Sequence, residues 1–285
     1  MPEGAAPSRA STLVILTTTG TRDLAPLLRA MRQQAGPSEL RVVVNATFVP
    51  GALRASLLDT DDLVHEPHVG YASARNAGLR SLSDYEAVVF FDDDQLPSDG
   101  WLTSLLTAAA QSGATVVLGP VDSVVPGRGW ADASHIRPKR PEASGPHLGE
   151  GYSGNTLIRT DFLARTGLQF DTRFDRTGGE DTDFFRRARA HGATIYYAAA
   201  ARAVETVDPC RVTALGRLVA GRSAGKRYRQ LQGFSRLNAA KKCLRLGSGL
   251  LWLIYGGASL SRRAAGRGLF DVGNAAGYLI PTRSR

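Results

Sequence analysis

The run Tyr85–Phe91 (YEAVVFF) leads straight into three aspartates, Asp92-Asp93-Asp94, and this junction constrains the chain more than any other. A stretch so rich in apolar and β-branched residues reads as a strand covered on both faces, as in parallel sheets. Leu13–Thr17 and Leu40–Asn45 read the same way, and shorter strands are expected near Leu63–His65 and at Thr115–Leu118. Helices are expected over Asp23–Gln34, which Gly36-Pro37 closes, and over Ser73–Leu82 and Leu102–Gln111. This β-α alternation predicts an α/β fold with a mostly parallel central sheet and helices on both faces.

In such sheets a ligand sits beyond the carboxyl ends of the strands, which is where the three aspartates fall. Like charges crowded together are costly unless a cation neutralises them. Hard oxygen donors two apart, as in Asp92-x-Asp94, suit Mg²⁺ or Mn²⁺, which then bridges to phosphate oxygens. A solvated acidic turn is the alternative. A second acidic site, Gly178-Gly179-Glu180-Asp181-Thr182-Asp183, precedes FFRRARA and reads as a loop entering a helix. Its acids suit either helix capping or a general base that removes a proton from an attacking hydroxyl.

Composition removes several classes. The 285 residues are 43% hydrophobic, enough for a full core and too apolar for a disordered chain. Two cysteines, Cys210 and Cys243, make neither a disulfide framework nor a four-ligand zinc site, and they fit a reducing compartment. The apolar run Leu13–Leu16 is too short for a signal-peptide core, so a cytoplasmic location is expected. His65 and His68 flank Pro67, which argues against a helical metal pair, and no Ser-His-Asp elbow or phosphate loop occurs.

The net charge of +9 is unevenly spread. Residues 1–208 carry 20 Lys/Arg and 25 Asp/Glu, whereas residues 209–285 carry 15 Lys/Arg and the single acid Asp271. The expected division is a catalytic domain over 1–208 and a basic amphipathic helical extension over 209–285. Within 211–245, apolar residues from Val212 to Leu237 recur every three or four positions, although Gly216, Gly221, Gly225 and Gly233 weaken the pattern as one long helix. The uncharged run Leu246–Ser261 follows, flanked by Lys241, Lys242 and Arg245 before it and Arg262, Arg263 and Arg267 after it. At about 1.5 Å per residue it falls short of a bilayer's hydrocarbon core of roughly 30 Å, favouring an interfacial or re-entrant segment, with a helix packed on the catalytic core as the alternative. Residues 121–150, rich in Pro and Gly around Arg137, Lys139 and Arg140, are expected to form a mobile loop over the site or a plain disordered insert.

Four motifs in order carry a family resemblance. They are Gly70-Tyr-Ala-Ser-Ala-Arg75-Asn76-Ala-Gly78-Leu79, FFDDDQLPSDGWL (Phe90–Leu102), Gly151-Tyr-Ser-Gly154-Asn155 and Gly178-Gly179-Glu180-Asp181. So arranged, they resemble the inverting nucleotide-sugar glycosyltransferases of family 2, with the GT-A fold, over roughly residues 11–225. Glu205-x-Val207-x-Pro209-x-Arg211 extends the likeness to the subgroup that builds bacterial exopolysaccharides.

The resemblance implies a role for each matching residue. Thr17, Thr18 and Thr19 would line the nucleotide base, and Arg75 would lie near the nucleotide. Asp92, Asp93 and Asp94 would meet ribose, diphosphate and metal, the metal resting on Asp94 and Asp92. Asp181 would be the catalytic base, with Glu180 beside it at the acceptor. Gly154, Asn155 and Trp101 would belong to the acceptor side, Trp101 as a packing residue or a sugar platform. One position departs from the family: Asn45 stands where an Asp commonly holds the base or ribose. Asn keeps hydrogen bonds but brings no charge. Asp59, Asp61 or Asp62 is the candidate replacement, or a solvated acidic loop.

The implied reaction is metal-dependent sugar transfer with Mg²⁺ or Mn²⁺. Its donor would be a nucleotide sugar, a UDP-sugar first, and its acceptor a hydroxyl, lipid-linked acceptors included. The basic segment 211–267 would meet the anionic inner face of the cell membrane rather than nucleic acid. The alternatives are a nucleotidyltransferase, for which TTTGTRDLAP offers few phosphate-loop residues, and a non-catalytic membrane- or nucleic-acid-binding protein.

Overall fold

A computed structural model describes residues 12–34, 38–125, 141–149 and 151–280. Gly36-Pro37 and most of the expected 121–150 loop, Arg137, Lys139 and Arg140 included, lie outside the described residues. The chain divides into two compact units: residues 1–122, 140–176 and 180–205 form one, and 123–139, 177–179 and 206–285 the other.

The first unit is built on β1 (Thr12–Thr18), β2 (Ser38–Val44), β3 (Asp62–His65) and β4 (Ala87–Asp92), all parallel in the order β3-β2-β1-β4. The sheet continues through β9 (Asn155–Arg159), β6 (Val116–Leu118), β10 (Ile195–Tyr197) and β8 (Gly145–Pro146). β9 runs antiparallel between β4 and β6. That reversal pairs Asn155 with Phe91, so β9 begins where β4 ends, beside the three aspartates. β5 (Gln95–Pro97) and β11 (Ala203–Thr206) pair antiparallel in a smaller sheet, ordered β5-β11-β7, with β7 at Val121–Val124.

Strand alternation explains the layering. Along β1, Val14 and Leu16 point to one face and Leu13 and Ile15 to the other. The first face packs on α1 (Ala25–Arg32), α2 (Gly51–Ser56) and α4 (Trp101–Ser112) through Leu27, Leu28, Leu53 and Leu105. The second packs on α3 (Tyr71–Gly78), α5 (Thr160–Thr166) and α6 (Glu180–Ala190) through Ala77, Phe162, Phe184 and Phe185. The architecture is α/β, a mostly parallel sheet with helices on both faces, and it is consistent with GT-A.

The second unit contains α7 (Ala214–Gln232), α8 (Arg236–Ala258) and α9 (Arg262–Leu279). The stretch expected to be weakened as one long helix does divide at Gly233, but α7 runs unbroken past Gly216, Gly221 and Gly225. A Cβ at Gly221 would meet the Phe270 carbonyl of α9, and one at Gly225 the Asn274 carbonyl. The cost of glycine within a helix, about 1 kcal/mol, is offset by close backbone packing. Gly233, with φ 69°, ends the helix. Among the described residues, no helix is long and apolar enough to cross a membrane.

Candidate active site

Arg75 lies at the centre of the cluster. It sits on the last turn of α3, and its guanidinium donates to Glu180 Oε1 at 2.8 Å and to Asp92 Oδ1 at 3.4 Å. The sequence brings these groups together by converging three elements: α3, the carboxyl end of β4, and the first turn of α6. Gly178 and Gly179 take left-handed φ values of 68° and 98° just before α6 begins.

Packing fixes Arg75 in place. Asn76 forms a two-way link with the Phe170 backbone, donating to its carbonyl and accepting from its N–H, both at 2.8 Å. The Phe170 ring lies 5.8 Å from the Arg75 guanidinium carbon and stacks on Phe184 at 4.2 Å. The start of α3 is held by Asp175, whose carboxylate accepts from the Ser73 N–H at 2.8 Å and from its hydroxyl at 2.7 Å. A Cβ on Gly70 would run into that carboxyl group, which explains the glycine opening the first motif.

Glu180 is only 5% exposed, and its Oε2 meets no hydrogen-bond partner. Burial raises its pKa above the ordinary carboxylate value; Arg75 pulls the other way, and Asp181 and Asp92 reinforce the rise. Asp181 follows on the same turn, half-buried, and accepts from the Thr182 N–H at 2.7 Å. Gln95, which sequence reasoning passes over, reaches Asp92 Oδ2 from 3.5 Å while its own buried Oε1 has no partner. A Cβ on Gly154 would collide with the Asp92 carboxylate and with Gln95, so only glycine leaves that approach open.

The neighbouring strand ends complete the rim. Thr18 donates its hydroxyl to Asp93 at 2.6 Å and accepts from the Gly20 N–H at 2.9 Å; Arg22 lies 3.6 Å from Asp93. Thr17 is half-buried, while Thr19 is exposed and pairs with Thr21. Asp92 and Asp94 are both half-buried at the turn after β4. Among the described residues no group of three His, Cys, Asp or Glu gathers as a metal cage. Two hard carboxylates with no soft donor still fit a divalent cation that takes its other ligands from water and substrate phosphates.

Three of the expected site residues have other partners in the structure. Asn45 is buried and fully engaged: its amide donates to the carbonyls of Glu66 (3.0 Å) and His68 (2.8 Å), and its oxygen accepts from the Gly70 N–H (2.8 Å). An Asp could not make the two donations, so the Asn at this position secures the backbone before α3. Trp101 and Asn155 are 1% and 0% exposed and bond each other, Trp101 Nε1 to Asn155 Oδ1 at 2.7 Å. The Asn155 amide then donates to the carbonyls of Pro120 and Ala201. Both side chains brace the floor and present nothing to an acceptor. Asp61 and Asp62, offered as replacements for Asn45, are held instead by Arg32 and Arg41, each at 2.6 Å. Asp59 is exposed.

Asp175 and Phe170 escaped sequence reasoning because they act across the fold, and Gln95 because it follows the acidic motif as an uncharged residue three positions from Asp92. Asp175 caps a helix 102 residues away, and no local pattern announces such a cap.

A family model of glycosyl transferase family 2 matches residues 62–167, from β3 through α5, including Arg75 and Asp92 to Asp94. The succinoglycan biosynthesis protein ExoM of Rhizobium meliloti (strain 1021) is 33% identical over 233 residues, spanning 77% of this chain and 72% of that protein. The chain belongs to glycosyl transferase family 2 and is a glycosyltransferase.

Proposed function

We propose that this enzyme transfers a sugar with inversion from a nucleotide-sugar donor, a UDP-sugar first, to a hydroxyl of a growing glycan. The observation that carries the reading is the junction of Asp92, Arg75 and Glu180 within hydrogen-bonding reach at the carboxyl end of the sheet. The likeness to a succinoglycan biosynthesis protein supports polysaccharide biosynthesis as the setting.

In this reading Asp181 takes the proton of the acceptor hydroxyl, and the freed oxygen attacks the anomeric carbon as the nucleoside diphosphate leaves. A single displacement turns an α-linked donor into a β-linked product. Glu180, kept beside Arg75, orients the acceptor. Thr18 and Asp93 border the nucleotide side, with Thr17 and Thr19 as further contacts. Gly154 leaves space next to Asp92. Mg²⁺ or Mn²⁺ held by Asp94 and Asp92 would offset the charge building on the departing diphosphate. Residues 211–267 would meet the anionic inner face of the cell membrane, where a lipid-linked acceptor is found.

The test is a thermal-shift panel of UDP-, GDP-, dTDP- and CDP-sugars with Mn²⁺, followed by radiolabel transfer with and without EDTA. A ligand that binds the native state raises Tm by mass action, so a UDP-sugar should stand out and EDTA should stop transfer. Stabilisation by none of the four classes would overturn the donor reading, and transfer undiminished in EDTA would overturn the metal.

A further inference from the structure

The helical unit contains a cavity whose chemistry the transfer reaction does not use. α8 packs on α9 through Gly249 and Gly256, whose Cβ positions would meet backbone atoms of Gly268 and Ala265. Backbones drawn this close push the long side chains to the flank. There a cavity of about 560 Å³ is lined by Arg217 of α7, Arg245 of α8, and Arg267 and Asp271 of α9.

Three guanidinium groups face one carboxylate. Asp271 accepts from Arg245 Nε at 2.7 Å, and Arg267 lies over the Trp252 ring at 4.5 Å. Arg217 is 3% exposed and lies 5.0 Å from the Phe270 ring centre, and its buried Nε meets no acceptor. Burial pulls its pKa below the ordinary value, against the opposing field of Asp271. A buried cation without a hydrogen-bonded anion is unfavourable, and the planar donor fork of Arg matches phosphate oxygens.

The walls beyond the arginines identify the source of that phosphate. Leu244 and Ser248 line the cavity from α8, and they share a helix face with Leu251 and Tyr255. Leu244 is 77% exposed, Leu251 68%, and Ile254 and Tyr255 extend the apolar surface. No charge interrupts Leu246–Ser261, and the exposed Arg262 and Arg263 follow. A free anion would use the arginines and leave the apolar stripe in water. A phospholipid uses both, its phosphate among the guanidinium groups and the leaflet against the stripe.

We propose that the cavity formed by Arg217, Arg245 and Arg267 binds the phosphate of an anionic phospholipid headgroup. The proposal rests on the reading that residues 211–267 meet a membrane surface, and it gives that contact a specific site.

The full chain is floated with phosphatidylglycerol–phosphatidylcholine vesicles and with pure phosphatidylcholine vesicles. The unaltered protein binds the anionic vesicles, and Arg217→Lys, which keeps the charge but loses the fork, weakens binding about tenfold. Unchanged binding by Arg217→Lys would overturn the cavity and leave the membrane reading standing; no vesicle binding by the unaltered chain would overturn both. If inorganic phosphate raises the Tm of the unaltered protein while anionic vesicles are ignored, the cavity belongs to a free anion and the lipid proposal fails. Should circular dichroism show that Arg217→Lys does not fold, Arg267→Lys, at an exposed position, provides the same readout.

Discussion

Arg75 and Glu180, 105 residues apart in sequence, meet at 2.8 Å with both side chains buried. Breaking such a pair from one side leaves an uncompensated charge in a poorly solvated place. Arg75→Met is therefore expected to lower stability by about 3–5 kcal/mol, measured by urea denaturation at neutral pH. A loss below about 1 kcal/mol would show that the pair is solvated in solution.

The same pair makes a pH prediction. Burial raises the Glu180 pKa, so the folded state holds that proton more tightly than the unfolded chain does. Glu180 thus contributes stability that is fully present below its unfolded value and lost as pH rises through the raised folded value. Paired denaturation of the parent and Glu180→Gln should show the parent losing stability relative to the variant as pH rises above the ordinary carboxylate range. A difference that stays constant as pH rises would contradict the raised pKa.

Asn45 gives a third test. Asn45→Asp keeps the acceptance from Gly70 but turns a carboxylate toward the carbonyls of Glu66 and His68. The expected cost is about 2 kcal/mol or more by thermal or chemical denaturation. A stable variant with improved nucleotide binding would mean that the position reads the donor after all.

Much of this was legible in the sequence for physical reasons. β1, β2 and β4 are near-continuous apolar runs, so strand periodicity exposes them, and the aspartates follow β4 directly. β9 was not legible: its NTLIR stretch is short and polar at both ends, and only its place between β4 and β6 makes it a central strand. Glycines weaken the helical pattern of 211–232 in sequence, whereas the value of Gly221 and Gly225 lies in contacts with Phe270 and Asn274 of a partner helix. Resemblance places Asn45 and Asn155 at the site and leaves Trp101 open between packing and sugar contact, because it carries a residue's position and not its burial. Their hydrogen bonds run to the backbone or to each other, which only the fold reveals.

The proposed transfer turns on Asp181 as the base that takes the acceptor's proton. Asp181→Asn preserves the shape of the first turn of α6 and removes the proton acceptor. Donor affinity by calorimetry and radiolabel transfer should be measured side by side on this variant. Donor affinity is expected to stay unchanged, with transfer reduced by about 10² or more. Transfer at the parent rate would contradict Asp181 as the base.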